Sequence, residues 1–224
     1  MIKNMKPTVS RTQRVLNVWA IVLILWSIYR TKLVLPEWFD ELVAKPFVFI
    51  TPVYVYLTHV EKTSFFKGIG LTIKDFFSEV KVAVLIGLFF TIAGFAAHYV
   101  KNGGFSFAQT LLGQNPQSLL LIFVLALATA TCEEILSRGF VLKRLYEESN
   151  NMFTSSFLAS VLFLIIHIPI LFTNLKLSGS QLLLFMTTDF ILSLINSFIF
   201  LDRKNLIAPI LIHALYNMSI LLYA

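Results

Sequence analysis

The chain has 224 residues, of which 57% are hydrophobic and 13% charged, with a mean hydropathy of +0.80. This is too apolar for a water-soluble domain of such length and describes a multi-pass membrane protein. The net charge of +6 does not indicate a nucleic-acid partner, because the cations are spread over short loops between apolar segments instead of lining one soluble face.

In chain order, stretches long enough to cross a bilayer are predicted near Val15–Leu35, Pro46–Val60, Val82–Val100, Gln117–Ser137, Phe153–Phe172, Gln181–Leu201 and Leu206–Tyr223. The expected fold class is all-α: a polytopic transmembrane helical bundle of about seven spans plus interfacial helices, forming a single membrane domain over residues 1–224. The first span follows Arg11 and Arg14 and lacks a small-residue cleavage site, so it is read as a retained helix. The second is short and carries Pro46 and Pro52, which predicts a tilted, kinked or incomplete crossing. Ile73–Lys81 mixes Phe76, Phe77 and Val80 with Lys74, Asp75 and Glu79 and is expected to lie as a helix on the membrane surface. Phe105–Gln114 is read as a loop or short helix on the opposite side. Apolar periodicity continues beyond Ser137 through Phe140 and Leu145, so the fourth helix is expected to project out of the membrane to a turn at Ser149-Asn150-Asn151.

With the N-terminus inside, thirteen of the 18 Lys and Arg are cytoplasmic, and Arg30, Lys32, Lys45, Lys101 and Lys176 remain outside. The positive-inside rule favours that orientation, and a bacterial cell membrane is the expected location. The single cysteine, Cys132, excludes an internal disulfide and a Cys-based zinc cluster. Trp19, Trp26 and Trp38 are read as lipid contacts and interfacial anchors.

Ionisable residues inside a membrane usually mark a working site, and three clusters stand out. Glu134 and Arg138 are four apart on one helical face, acid first, so they pair. Glu133 points about 100° away, which makes it the candidate carboxylate free to take a proton. Glu133 lies seventeen residues before Asn150 and His167 seventeen after it, so a hairpin with its tip there puts both at one depth, about 25 Å from the tip. Phe163, one turn before His167, would shield a water, and Pro169 would bend the helix locally. His213 and Asn217 share one side of the last helix and can both donate to an oxyanion. Asp189, Ser193 and Asn196 form a further polar stripe, from which Asp189 or Asn196 would orient His213. These are the groups needed to activate water and stabilise an oxyanion, which implies hydrolysis within the bilayer.

The run Glu133-Glu134-Ile135-Leu136-Ser137-Arg138 resembles the EExxxR motif of the CPBP (CAAX-processing and bacteriocin-processing, or Abi) intramembrane proteases. Phe163 to His167 is similar to their FxxxH motif, and His213 to Asn217 to their HxxxN motif. The resemblance implies a protease-like core over residues 117–223 and a glutamate-dependent, metal-independent endopeptidase without a cofactor. Glu133 and His167 would activate water, His213 and Asn217 would form the oxyanion site, and Glu134 and Arg138 would support them. The sixth helix, where the family often has small residues for close packing, has Ser193 and Ser197 but no glycine. The implied partners are membrane lipids and a peptide or protein substrate, lipidated or bacteriocin-like, entering from the bilayer or the cytoplasmic side. Three alternatives remain at this level. One is a zinc hydrolase using one glutamate and two histidines, without an HExxH pattern. Another is a membrane scaffold or bacteriocin self-immunity protein with the same fold. The third is a transporter, disfavoured by the absence of an internal repeat.

Overall fold

A computed structural model describes residues 9–33, 35–102, 116–171 and 179–223, and among them every regular element is helical. Among the described residues, six helices are long and apolar enough to cross a membrane, and Ile207–Ser219 is a shorter apolar stretch. The helices are α1 (Arg11–Lys32), α2 (Glu37–Val60), α3 (Phe65–Ile69), α4 (Phe76–Asn102), α5 (116–149), α6 (Met152–Ile170), α7 (Gly179–Arg203) and α8 (Ile207–Tyr223). α5 joins Pro116–Glu134, a π-helical stretch Ile135–Leu142 and Lys143–Ser149 without a break. Apolar side chains such as Ile24, Leu85 and Phe89 point outward, whereas Glu133, Glu134, Arg138, Asp189, Asn196 and His213 are buried. That inversion of the soluble-protein pattern is what a lipid surroundings imposes, since ionisable groups shun hydrocarbon. The chain is a multi-pass integral membrane protein.

Local chemistry sets the helix boundaries. Ser10 caps α1 by accepting from the Gln13 N–H at 3.0 Å. Asn150, at φ 51°, ends α5 in the left-handed conformation, and Asn151 caps α6 by accepting from the Thr154 N–H at 3.0 Å. The hairpin thus turns where the sequence predicts. The start of α1 and the tips of two hairpins share one end of the bundle, where Glu61 bridges Arg11 and Arg144 and Glu148 accepts from Thr12.

Two expectations about the spans are corrected. The helix that holds the second apolar stretch is longer than the sequence suggests: α2 begins at Glu37 instead of Pro46 and has 24 residues. Proline lacks an N–H and crowds the carbonyl four residues back. The backbone answers by widening into π-helical turns at Asp40–Ala44 and Pro46–Ile50, so the helix passes Pro46 without ending. Ile73–Lys81 is not a separate surface helix, because residues 71–75 are non-helical, Asp75 sits at φ 57°, and α4 starts at Phe76 and runs directly into the membrane. The segment Phe105–Gln114 lies outside the described residues.

Close helix approach depends on missing side chains. A Cβ at Gly139 would meet the Ile69 Cβ at 2.9 Å and its carbonyl oxygen at 3.0 Å, so α3 rests directly on α5. At Gly87 a Cβ would come within 2.3 Å of Leu215 Cδ1, where α4 packs on α8. In α7 the small-residue role falls to Ser193 and Ser197, both fully buried, with the Ser197 hydroxyl donating to the Ser193 carbonyl at 2.8 Å. Helix α8 is thereby clasped by α4, α5 and α7, and α6 packs against α5 and α7.

Candidate active site

Glu133 and Glu134 sit at the point where α5 passes from α-helical to π-helical turns, a local widening often found at functional positions. Glu134 is fully buried, and its Oε1 accepts from Arg138 at 2.9 Å, one turn on. The other guanidinium nitrogen of Arg138 donates to the Ser193 carbonyl of α7 at 2.9 Å, and the guanidinium carbon lies 4.6 Å from the centre of the Phe163 ring. These contacts hold α5, α6 and α7 together, as expected for an arginine removed from water.

The same Glu134 oxygen takes two further hydrogen bonds, from Asn196 Nδ2 at 3.1 Å and from His213 Nδ1 at 2.8 Å. Because a carboxylate only accepts, Nδ1 of His213 carries hydrogen and Nε2 is turned the other way. His213 Nε2 stands 3.6 Å from Glu133 Oε2. His167 reaches that oxygen from α6, its Nε2 at 3.5 Å, while its Nδ1 donates to the Phe163 carbonyl at 2.8 Å. Glu133 Oε2 is buried and has no hydrogen bond among the described residues. Phe163 packs on both imidazoles, with ring centres 4.7 Å from His167 and 5.7 Å from His213.

Glu133, His167 and His213, from three helices, therefore meet at one oxygen. Asn217 follows His213 by one turn, about 6 Å along the axis, and is half-buried. Pro169 falls in the last turn of α6, which ends at Ile170.

Several sequence expectations need correction. Neither Asp189 nor Asn196 hydrogen-bonds to His213, whose Nδ1 is taken by Glu134. Asp189 Oδ2 lies 3.7 Å from His167 Nδ1, and Asn196 bonds to Glu134 and to the Pro209 carbonyl, the latter also at 3.1 Å. Glu134 is the group that orients His213. The reason is register: Asp189 is nearly two turns before Asn196 along α7, so each faces a different level of the cluster. Glu133 is not unpaired either. Its Oε1 accepts from Lys45 Nζ at 3.0 Å, and Lys45 is 4% exposed, a member of the bundle interior instead of an outer loop. Lys45 also pairs with Glu41 at 2.6 Å, one turn earlier on α2, and lies 5.5 Å from the Trp26 ring centre. Trp26 is accordingly a buried residue and not a lipid anchor. A span that starts at Pro46 leaves Lys45 and Glu41 out of the site; the sequence signal for them is their i, i+4 spacing beside an apolar region.

Residues 115–219 match the family model described as type II CAAX prenyl endopeptidase Rce1-like. No curated protein and no solved structure matches the chain. The matched segment, 105 of the 224 residues, contains all three motifs and is similar to the type II CAAX prenyl endopeptidases. At family level that likeness is to CAAX-type proteases, which are hydrolases.

Proposed function

We propose that the chain is a glutamate-dependent intramembrane endopeptidase in which 117–223 forms the catalytic core and Glu133 activates water against a peptide bond. The observation that carries this reading is the buried Glu133 Oε2, without a hydrogen bond among the described residues yet 3.5 and 3.6 Å from two imidazole nitrogens. Gaps of that length are the kind a water or a substrate oxygen bridges.

With its Nδ1–H held by the Phe163 carbonyl, His167 turns Nε2 towards the carboxylate. Water held there donates a hydrogen to Glu133 Oε2 and turns a lone pair towards the scissile carbonyl. As the new C–O bond forms, Glu133 takes a proton from the water. Collapse of the tetrahedral intermediate breaks the C–N bond, and that proton passes to the leaving amine directly or through His167. His213, through Nε2, and Asn217 stabilise the oxyanion. Glu134 holds the His213 ring at the required angle through Nδ1.

The basic end of the bundle, with Arg11, Arg144 and Arg203, supports a cytoplasmic N-terminus. Glu133 precedes Ser149 by sixteen residues, about 24 Å along α5, so the substrate would enter through the bilayer or down from the cytoplasmic face. The family description makes prenylated C-terminal peptides the first class to test, ahead of other membrane-associated peptides.

The test compares purified wild type with Glu133→Gln and His167→Ala on a farnesylated peptide, with and without a chelator. Both variants should lose at least about a hundredfold in rate, and wild-type cleavage should resist the chelator. Activity lost to the chelator and restored by zinc would favour a metal hydrolase. Mass spectrometry of membrane peptides from cells carrying wild type or Glu133→Gln removes the dependence on one chosen substrate, and identical product sets would overturn the enzyme reading.

A further inference from the structure

We propose that Lys45, contributed by α2 outside the family-matched segment, is a positioning residue of the site: its ammonium fixes one oxygen of Glu133 so that the other faces the two imidazoles. The inference rests on the reading of Glu133 as the base.

A carboxylate acting on one water must offer a particular oxygen at a particular angle, and a free side chain in a buried cavity would exchange its two oxygens by rotation. Lys45 Nζ, 3.0 Å from Oε1, removes that freedom and leaves Oε2 aimed at His167 and His213. The ammonium is itself fixed. Glu41 Oε2 holds it at 2.6 Å, and the same Glu41 oxygen accepts from Thr129 Oγ1 at 2.5 Å. Thr129 lies one turn before Glu133 on α5, so the path from α5 through Thr129, Glu41 and Lys45 returns to α5. The Trp26 ring flanks the ammonium from α1, where a cation–π contact adds to the hold.

The charged surroundings explain why a cation is needed there. Facing the cluster are Lys45 and Glu41 from α2, Glu134 and Arg138 from α5, His167 from α6, Asp189 from α7 and His213 from α8. Arg138 is engaged by Glu134 and by the Ser193 carbonyl. Among the described residues, Lys45 is therefore the one permanent cation in ion-pair contact with Glu133. A purely structural Lys45 would serve only to tie α2 to α5. Its removal would then lower stability and leave turnover of the folded protein intact.

The experiment measures steady-state cleavage in proteoliposomes by wild type, Lys45→Met, Lys45→Arg, the double variant Glu41→Gln/Lys45→Met, and Glu133→Gln as reference. Lys45→Met should lower kcat at least about tenfold with KM within about twofold, because displacement of a reacting group by an ångström is enough for such losses. Lys45→Arg, which keeps the charge, should recover at least about a third of the lost turnover. If Lys45→Met does not accumulate as folded protein, the double variant removes a carboxylate together with the ammonium and should show the same kcat defect. Wild-type kcat in either Met-containing variant, or an equal defect in Lys45→Arg, overturns the proposal. Should Glu133→Gln retain full activity, the reading of Glu133 as base fails and takes this one with it. If Glu133→Gln is inactive while Lys45→Met turns over normally, the positioning role alone is wrong.

Discussion

Glu134 and His213, 79 positions apart in sequence, meet at 2.8 Å through Oε1 and Nδ1. Because the same oxygen also accepts from Arg138 and Asn196, one atom joins α5, α7 and α8. The two neighbouring glutamates thereby divide the work. Glu134 Oε1, with three donors, fixes the helices and one imidazole, whereas Glu133 brings Oε2 within 3.6 Å of two imidazoles.

This division predicts separable effects at Glu134. Glu134→Gln leaves the guanidinium of Arg138 buried without a counter-charge, which should destabilise the protein by roughly 3 kcal/mol or more. The double variant Glu134→Gln/Arg138→Met removes both charges and should recover most of that loss in thermal unfolding in detergent. It should not recover cleavage, because His213 still lacks its carboxylate. Restored activity in the double variant would show that Glu134 acts on the fold alone.

Asp189 offers a graded test of the His167 environment. Its Oδ2 is 3.7 Å from His167 Nδ1, too long for a hydrogen bond, while Nδ1 already donates to the Phe163 carbonyl. The contact is electrostatic, so Asp189→Asn should lower kcat by roughly tenfold, far less than Glu133→Gln, with KM little changed. Full activity of Asp189→Asn would remove Asp189 from the working set.

The parts of this site that could be read from the sequence are those fixed by helical periodicity. Glu134 and Arg138 at i, i+4 dictate their own pairing, and equal offsets from Asn150 place Glu133 and His167 at one level once the hairpin forms. What periodicity does not supply is rotation and register between helices distant in sequence. Periodicity alone thus points Asp189 or Asn196 at His213, whereas one faces His167 and the other Glu134. Lys45 was hidden for a different reason. Proline is a reliable signal of a helix start in a regular α-helix, but the π-helical turns around Pro46 let α2 run through it, and the polar residues before it went to an outer loop. The bundle itself was legible because hydrophobic length determines spans with little help from tertiary context.

Gly139 should tolerate no side chain. Its position one residue after Arg138 presses α5 against Ile69, and a methyl there would overlap both a side-chain carbon and a backbone oxygen. Gly139→Ala is expected to lower stability by about 1–3 kcal/mol, seen as a fall in Tm in detergent. Shortening the neighbour in Gly139→Ala/Ile69→Ala should recover only part of this, since the carbonyl oxygen at 3.0 Å remains. A Gly139→Ala protein as stable as wild type would mean that α3 is free to move off α5.

At the basic end of the bundle, Glu61 gives a pH-dependent contribution whose sign follows from its surroundings. Burial raises its carboxyl, but hydrogen bonds and charge from Arg144, then Arg11, outweigh this and hold it below the ordinary value of 4.5. Arg144 donates to it at 2.8 Å and Arg11 at 2.9 Å. Arg144 is buried, so its half of the bridge dominates, and the more exposed Arg11 adds little. A carboxyl held lower in the folded than in the unfolded chain binds fewer protons when folded, so stability rises with pH across that window. The contribution is complete above about pH 4.5 and disappears as pH falls through the folded value. Glu61→Gln should therefore be less stable than wild type by about 2 kcal/mol at pH 7, and the two should converge as the pH is taken towards 3. Thermal unfolding in detergent across that range is the measurement. A gap as wide at pH 3 as at pH 7 would attribute the effect to packing around Glu61, with its charge playing no part.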